Sequence, residues 1–346
     1  MFKRFNKIFL FLSLLLLVLG LHFNVKADSG TPNNSSFSIS PLNPNTGQPQ
    51  STYYDLVVKP NEEKEIKVRV FNSSNQDIKV NVNANDAATN SNGVISYTGE
   101  EKQDASLKVP FSTIANLEQK QVTVPKNGSL DVPIHIKVPA QKFSGMILGG
   151  IRVTGVSSQS KESNAPAVKA NIAYSVAVVL KEDSQTVAPS MHLLEVKKEV
   201  RNYRNYISAN LQNSAPRLIK KLEANASVYK QGSTKLLYQA KKSEMEMAPN
   251  SNFNFGISLE NHSIKPGKYT MKISGKADGT PYSFEKDFTV TAKEAKTNNE
   301  NAVYASEEQS NTPLTFIVIG MGILLVLVLL GYFFILRKRK SDKEER

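Results

Sequence analysis

Proton transfer and metal ligation are usually built from histidine, cysteine and paired carboxylates, and this chain is poorly supplied with them. Of its four histidines, His135, His192 and His262 lie on separate predicted strands or turns, and none has the spacing of metal ligands. The acidic pairs Glu62-Glu63 and Glu100-Glu101 fall in predicted turns, where a carboxylate is solvated by default, so a glycosidase-type dyad is not expected. Cysteine is absent, which excludes thiol nucleophiles, disulfide staples and Cys-based metal sites. The chain also lacks Gly-x-Ser-x-Gly, a Walker loop and Gly-x-Gly-x-x-Gly. These absences predict a protein that binds rather than catalyses, with no cofactor.

One charge feature is suited to binding. Lys197–Lys242 holds eleven basic residues against Glu199 and Glu223. Within it, Lys197, Lys198, Arg201, Arg204, Lys220 and Lys221 form a candidate patch for an acidic protein or wall polymer. Tyr203, Tyr206, Tyr229 and Tyr238 are interleaved and could supply stacking area. The competing reading makes these residues the solvated faces of alternating strands, with lysine blunting sheet edges. The net charge of +12 is unevenly spread. Asp28–Ser157 is neutral overall, so the excess sits in the second half and at the C-terminus.

The elements that would position such a patch are strands. Glu65–Val70 places Ile66, Val68 and Val70 on one face and charges on the other, and Ile78–Val82 repeats the pattern. Turn-prone blocks recur throughout, among them Asn90-Ser91-Asn92-Gly93, Lys126-Asn127-Gly128, Lys265-Pro266-Gly267 and Ala277-Asp278-Gly279. Further strands are predicted at Leu130–Val138 and Met146–Val153, where Gly149-Gly150 implies a bulge or a close backbone approach. Phe111–Leu117 is a candidate for one short helical turn. Seven strands between His192 and Thr291 suit a second sandwich, and Pro266-Gly267-Lys268-Tyr269 resembles a tyrosine corner. The alternative there is an ordinary half-exposed strand tyrosine.

The expected fold is therefore all-β, with two tandem immunoglobulin-like sandwiches over residues 36–158 and 168–295. Strand 171–180 could open the second domain or pair with Met146–Val153 in the first, and its small, lightly charged residues favour the first. A polar segment, 296–312, reads as a flexible stalk.

Both ends carry targeting signals. Lys3, Arg4 and Lys7 precede an apolar stretch, Ile8–Leu21, and the small-residue site before Asp28 predicts cleavage of a signal peptide (1–27) after Ala27. Leu314–Leu336 is apolar throughout and, as a helix, about 34 Å long, enough to cross a hydrocarbon core. Arg337, Lys338, Arg339 and Lys340 begin the basic tail (337–346), which would hold that end in the cytoplasm. Export makes nucleic acid an improbable partner despite the positive charge.

Several stretches resemble a known family. Tyr53-Tyr54-Asp55-Leu56 with Lys59-Pro60, Asn90–Tyr97 and Ser144–Ile151 are similar to the first domain of the WxL-interacting proteins of Gram-positive bacteria. Leu211-Gln212-Asn213 with Pro216, Met247–Phe253 and Pro266–Tyr269 are similar to that family's second domain. The resemblance implies a membrane-anchored surface protein whose partners are WxL proteins, peptidoglycan through the first domain and host extracellular proteins through the second. It supplies no catalytic residues. Strand addition to an open sheet edge, as in pilus-type chaperones, is the alternative mode of action.

Overall fold

Alternation of apolar and polar residues becomes strand almost wherever the sequence shows it. The computed structural model describes residues 37–50, 53–156 and 172–302. The predicted signal peptide, with Ala27 and Asp28, and the apolar run Leu314–Leu336, with Arg337–Lys340, lie outside these residues. Among the described residues no helix is long and apolar enough to cross a membrane.

The first half contains β1 (Phe37–Pro41), β2 (Tyr54–Val57), β3 (Glu63–Asn72), β4 (Ile78–Asp86), β5 (Ala88–Thr89), β6 (Ile95–Ser96), β7 (Ala115–Asn116), β8 (Gln121–Val124), β9 (Gly128–Lys137), β10 (Ile147–Gly155) and β11 (Ala173–Lys181). One sheet has the order β1-β3-β9-β7 and the other β2-β11-β10-β4-β8, with β5 and β6 forming a separate ribbon. Inward residues of both sheets, such as Ile66, Val68, Ile134, Ile151 and Val178, share one core. β11 lies antiparallel to β10 from Ile147↔Leu180 to Thr154↔Ala173, and parallel to β2 from Val178↔Tyr54 to Lys181↔Val57. Tyr54 ties β2 to the opposite sheet: its buried hydroxyl lies 2.9 Å from the Leu42 amide and 2.6 Å from the Lys67 carbonyl. Burial pushes its phenol up to about 12.

The paired glycines of β10 mark a close approach rather than a bulge. The register through Gly149 and Gly150 is unbroken on both sides, and a Cβ on Gly149 would stand 2.1 Å from the Phe111 ring. Phe111 belongs to a one-turn helix, Phe111–Ile114, which stops short of Leu117 because Ala115 and Asn116 pair with β9.

The second half contains β12 (Met191–Arg201), β13 (Arg204–Asn213), β14 (Ile219–Lys230), β15 (Leu236–Met247), β16 (Ser251–Ser258), β17 (Gly267–Ala277) and β18 (Thr280–Val290). Its sheets have the orders β12-β13-β16 and β15-β14-β17-β18 and enclose a second core around Ile207, Leu211, Leu222, Val228 and Met271. Tyr269 is buried, and its hydroxyl donates to the Lys265 carbonyl four residues upstream at 2.9 Å, the bond of a tyrosine corner.

The two halves repeat one device. Asn72, at the end of β3, donates to the carbonyls of Gln76, Val124 and Pro125 and accepts from the Ser74 amide. Asn213, at the end of β13, donates to the carbonyls of Arg217 and Ala248 and accepts from the Ala215 amide. In each half a left-handed asparagine follows, Asn127 or Asn250, whose amide bonds the carbonyl two residues after the first asparagine. One buried amide thus closes the corner between sheets twice over.

The stalk expectation needs correction at its start. Ala292–Asn301 is a helix, so residues 296–301 are not irregular. Thr291 and Glu294 form a reciprocal capping box, and the Asn299 side chain bonds both backbone groups of Ile264. Polar composition concealed this because both fastenings are themselves polar.

Replacing either corner asparagine strands buried carbonyls. Asn72→Ala and Asn213→Ala are each expected to cost about 2–4 kcal/mol in denaturant unfolding. A loss below about 0.5 kcal/mol would show that water replaces the amide.

Candidate interdomain groove

The two sandwiches meet through a polar and apolar junction that defines the groove beside it. The β5–β6 hairpin reaches from the first sandwich onto β15 and β16. Its turn is set by Asn90, whose side-chain oxygen accepts from the amides of Asn92 and Val94, and by Gly93 at φ 67°. The Glu246 amide donates to the Gly93 carbonyl at 2.8 Å, and Lys242 Nζ to the Asn92 carbonyl at 3.0 Å. A Cβ on Gly93 would stand 2.7 Å from the Met245 side chain, so the hairpin tip docks only as glycine. Behind it, buried Thr89 accepts from the Ala248 amide at 2.9 Å and lies 2.8 Å from Ser251 Oγ.

A second fastening is Asp104, which is 6% exposed. It accepts from Gln212 Nε2 at 2.8 Å, Asn252 Nδ2 at 2.6 Å and the Ser106 amide at 2.8 Å. Burial acts to raise its pKa, but the bonds from Ser106, Asn252 and Gln212 outweigh burial and hold it below the usual carboxylate range. A third is the Met146 amide, which donates to the Pro216 carbonyl at 2.8 Å. The preceding Gly145, at φ 72°, passes so near that a Cβ would fall 2.2 Å from that carbonyl oxygen. Ala87, Leu148, Val179 and Ala248 form a small buried cluster between these bonds. Most of the stretches that carry the family resemblance, Asn90–Tyr97, Ser144–Ile151, Leu211–Asn213 with Pro216, and Met247–Phe253, therefore meet at this junction.

Beside it opens a groove of about 1130 Å³. One wall is the strand β2, whose only ladder partner among the described residues is β11 and whose Val57 is 69% exposed. The other wall is the start of β14, and the connector Asp183–Val187 runs between. Asp278 fixes that second wall. Its carboxylate takes Arg217 Nη2 at 2.8 Å and the amides of Lys220 and Lys221 at 2.9 and 3.0 Å. Burial works against ionisation here, but these three donors together hold Asp278 below the usual range. Lys181 pairs with Asp55 at 3.0 Å, and Asp183 with Lys142 at 3.3 Å. Lys220 and Lys221 are exposed and form no ion pair among the described residues, so the groove combines apolar lining with two available ammonium groups.

The six basic residues read as one patch are divided between two sheets. Lys197 pairs with Glu195 at 3.2 Å and Lys198 with Glu294 at 2.8 Å. Arg201 is held by Glu199, Ser208 and the Asn254 carbonyl, and lies 5.1 Å from the centre of the Tyr206 ring. Arg204 begins β13 at the far end of the domain. Of the six, Lys220 and Lys221 line the groove. The sequence missed Thr89, Asp104 and Asp278 as organising residues; only the turn signals around them were visible.

The histidines also stay apart. His135 lies 3.6 Å from Glu65 and 3.5 Å from Glu118, His192 bonds Ser190 and Ser214, and His262 bonds the Leu259 carbonyl. Among the described residues no group of three His, Cys, Asp or Glu could hold a metal ion.

An all-β chain whose two domains are locked end to end beside a cationic groove is built as a binding protein. The chain belongs to the WxL Interacting Protein family: the model of its peptidoglycan binding domain matches residues 37–155, and that of its host binding domain matches 163–300. β11 thus lies in the second matched segment while its ladder is with the first sandwich. No curated protein matches the chain. Solved structures similar to it include a chaperone–tip adhesin complex of CFA/I fimbriae, at 11% identity over 72% of this chain and 98% of the other, with a TM-score of 0.29. The CupB2 chaperone of Pseudomonas aeruginosa (14% identity, 68% and 96% covered, TM-score 0.28) and the E. coli chaperone DraB (12%, 74% and 98%, 0.28) are others. Likeness at this level carries no argument about function.

Asp104 gives the junction a pH dependence. A depressed carboxylate stabilises the folded state above its ordinary pKa, and that stability is lost as pH falls through the depressed value. Asp104→Asn should therefore lower the melting temperature at pH 7 and remove part of the acid sensitivity of the parent. A variant whose melting temperature follows that of the parent from pH 7 to about 3 would sink the assignment.

Proposed function

We propose that this protein is a non-enzymatic, membrane-anchored surface protein that associates with WxL proteins and peptidoglycan, and through its second domain with host proteins. Its leader ends at Ala27 before Asp28, Leu314–Leu336 crosses the membrane, and Arg337–Lys340 keep the tail in the cytoplasm. Both domains are immunoglobulin-like sandwiches. The family supports the binding role, since both matched models describe binding domains. The single observation that carries the site is the groove in which the Lys220 and Lys221 side chains are exposed and make no ion pair among the described residues. Their backbone is pinned by Asp278, so they are presented to an anionic partner at fixed positions, which favours specificity and fast association.

The edge of β2, unpaired among the described residues on the side away from β11, favours a second reading, in which a partner strand adds along Tyr54–Val57 at the same groove. Both readings place the partner between the two domains.

Pull-down against purified peptidoglycan and a WxL-domain protein tests the site. Lys220→Glu with Lys221→Glu should reduce capture of one of them by about tenfold or more at moderate salt, with the melting temperature unchanged. Undiminished capture of both would remove the groove from consideration. Strand addition further predicts slowed amide exchange at Tyr54–Val57 in the complex, and unchanged exchange there would leave only side-chain binding.

A further inference from the structure

The end of the second sandwich farthest from the junction gathers four segments. They are the β12–β13 tip at Arg201–Arg204, the β14–β15 tip at Lys230–Leu236, the loop Leu259–Pro266, and the helix Ala292–Asn301. Asn205 Nδ2 bonds Asn299 Oδ1 at 2.9 Å and the His262 carbonyl at 3.3 Å, and the Gln231 amide bonds the Lys268 carbonyl at 3.1 Å. β13 and β14 connect this end to Asn213 and Ile219 at the junction, so the two ends of the domain face opposite ways.

This end is cationic. Lys230, Lys235, Lys268 and Lys293 are exposed and make no ion pair among the described residues. Of the acids nearby, Glu294 and Glu300 are engaged by Lys198 at 2.8 Å and Lys296 at 3.9 Å, and Asp287 accepts from Thr270 and Gln231. Glu260 is the remaining acid of the loop. Among the lysines stand two exposed apolar groups, Tyr203 at 64% and Leu236 at 45%. Tyr203 occupies the left-handed region at φ 60°, after Asn202 at φ 47°, where a two-residue hairpin takes glycine most readily. A ring kept at that tip against its own backbone preference points to a contact made by the ring.

The last described helix ends at Asn301, and the apolar run begins at Leu314. The intervening residues span at most about 43 Å even when fully extended. On the membrane anchorage proposed above, on which this inference rests, it is this end that stands next to the bilayer. We propose that it docks on anionic phospholipid headgroups, with the lysines over the phosphates and Tyr203 at the interface, as aromatic side chains prefer. The domain pair would then stand on the membrane at a set angle, with the groove held away from it.

A cysteine-free chain allows a direct test with one introduced thiol. Full-length protein carrying Ser233→Cys on the exposed β14–β15 tip is labelled with a fluorophore and reconstituted into vesicles bearing a headgroup quencher. In vesicles of about one-third phosphatidylglycerol the label should be quenched several-fold more than in phosphatidylcholine, and about 1 M salt should erase the difference. K230E, K235E and K268E together with Tyr203→Gly should lower quenching to the neutral-lipid level, while the melting temperature confirms folding. Equal quenching in both lipids, or indifference to the substitutions, would overturn the proposal. Retention through an alkaline carbonate wash with an unquenched label overturns docking alone; release of the chain overturns the anchorage and docking together.

Discussion

A buried carboxylate and a buried hydroxyl hold the two sandwiches against each other. Asp104 of the first sandwich is saturated by donors that include Gln212 and Asn252 of the second, and Thr89 is closed against Ala248 and Ser251. Removing any one partner would leave polar atoms without water or protein to bond, at a cost of about 1–3 kcal/mol each. The small apolar cluster around Ala248 could slide; the polar bonds cannot, because they are directional. The junction therefore fixes an angle, and without a fixed angle there would be two separate domains and no groove between them.

The groove inherits its chemistry from that fixation. The bonds Asp278 makes to two successive backbone amides anchor the first turn of β14, so Lys220 and Lys221 project from a rigid base. Side chains presented in this way lose less entropy on binding than lysines on a loop. The remaining charges of the groove are already matched in pairs, which leaves these two to set its preference for an anion. By contrast, the basic residues of β12 are consumed internally: Lys198 restrains the helix Ala292–Asn301 through Glu294, whose carboxyl is held at about 2 by Lys198 first and by Thr291 second. One half of a basic block thus holds structure together while the other half remains available.

Repetition of the asparagine corner shows how both sandwiches solve the same problem. Where the chain passes between sheets, buried carbonyls lose their ladder partners, and a side-chain amide supplies the missing donor. The device is local in geometry yet joins residues about fifty apart in the first half, Asn72 and Val124, so it appears only in three dimensions.

The sequence by itself determined the elements. Period-two alternation in β3, β9 and β16 reflects the geometry of a half-buried strand, which is a property of consecutive residues. Asn90–Gly93 and Pro266–Tyr269 were legible as turns for the same reason. Tertiary structure decided what those elements do. Alternation does not say which strand neighbours which: the small residues of strand 171–180 pointed to its pairing with β10, which the ladder bears out, but nothing local showed its parallel pairing with β2, or that a polar stretch after Thr291 docks as a helix. Nor can a linear count of lysines show that Lys197 and Lys220 belong to different sheets, one side satisfied and the other open. Chemistry that depends on residues about a hundred positions apart, as at Asp104 and Gln212, exists only once the chain is folded.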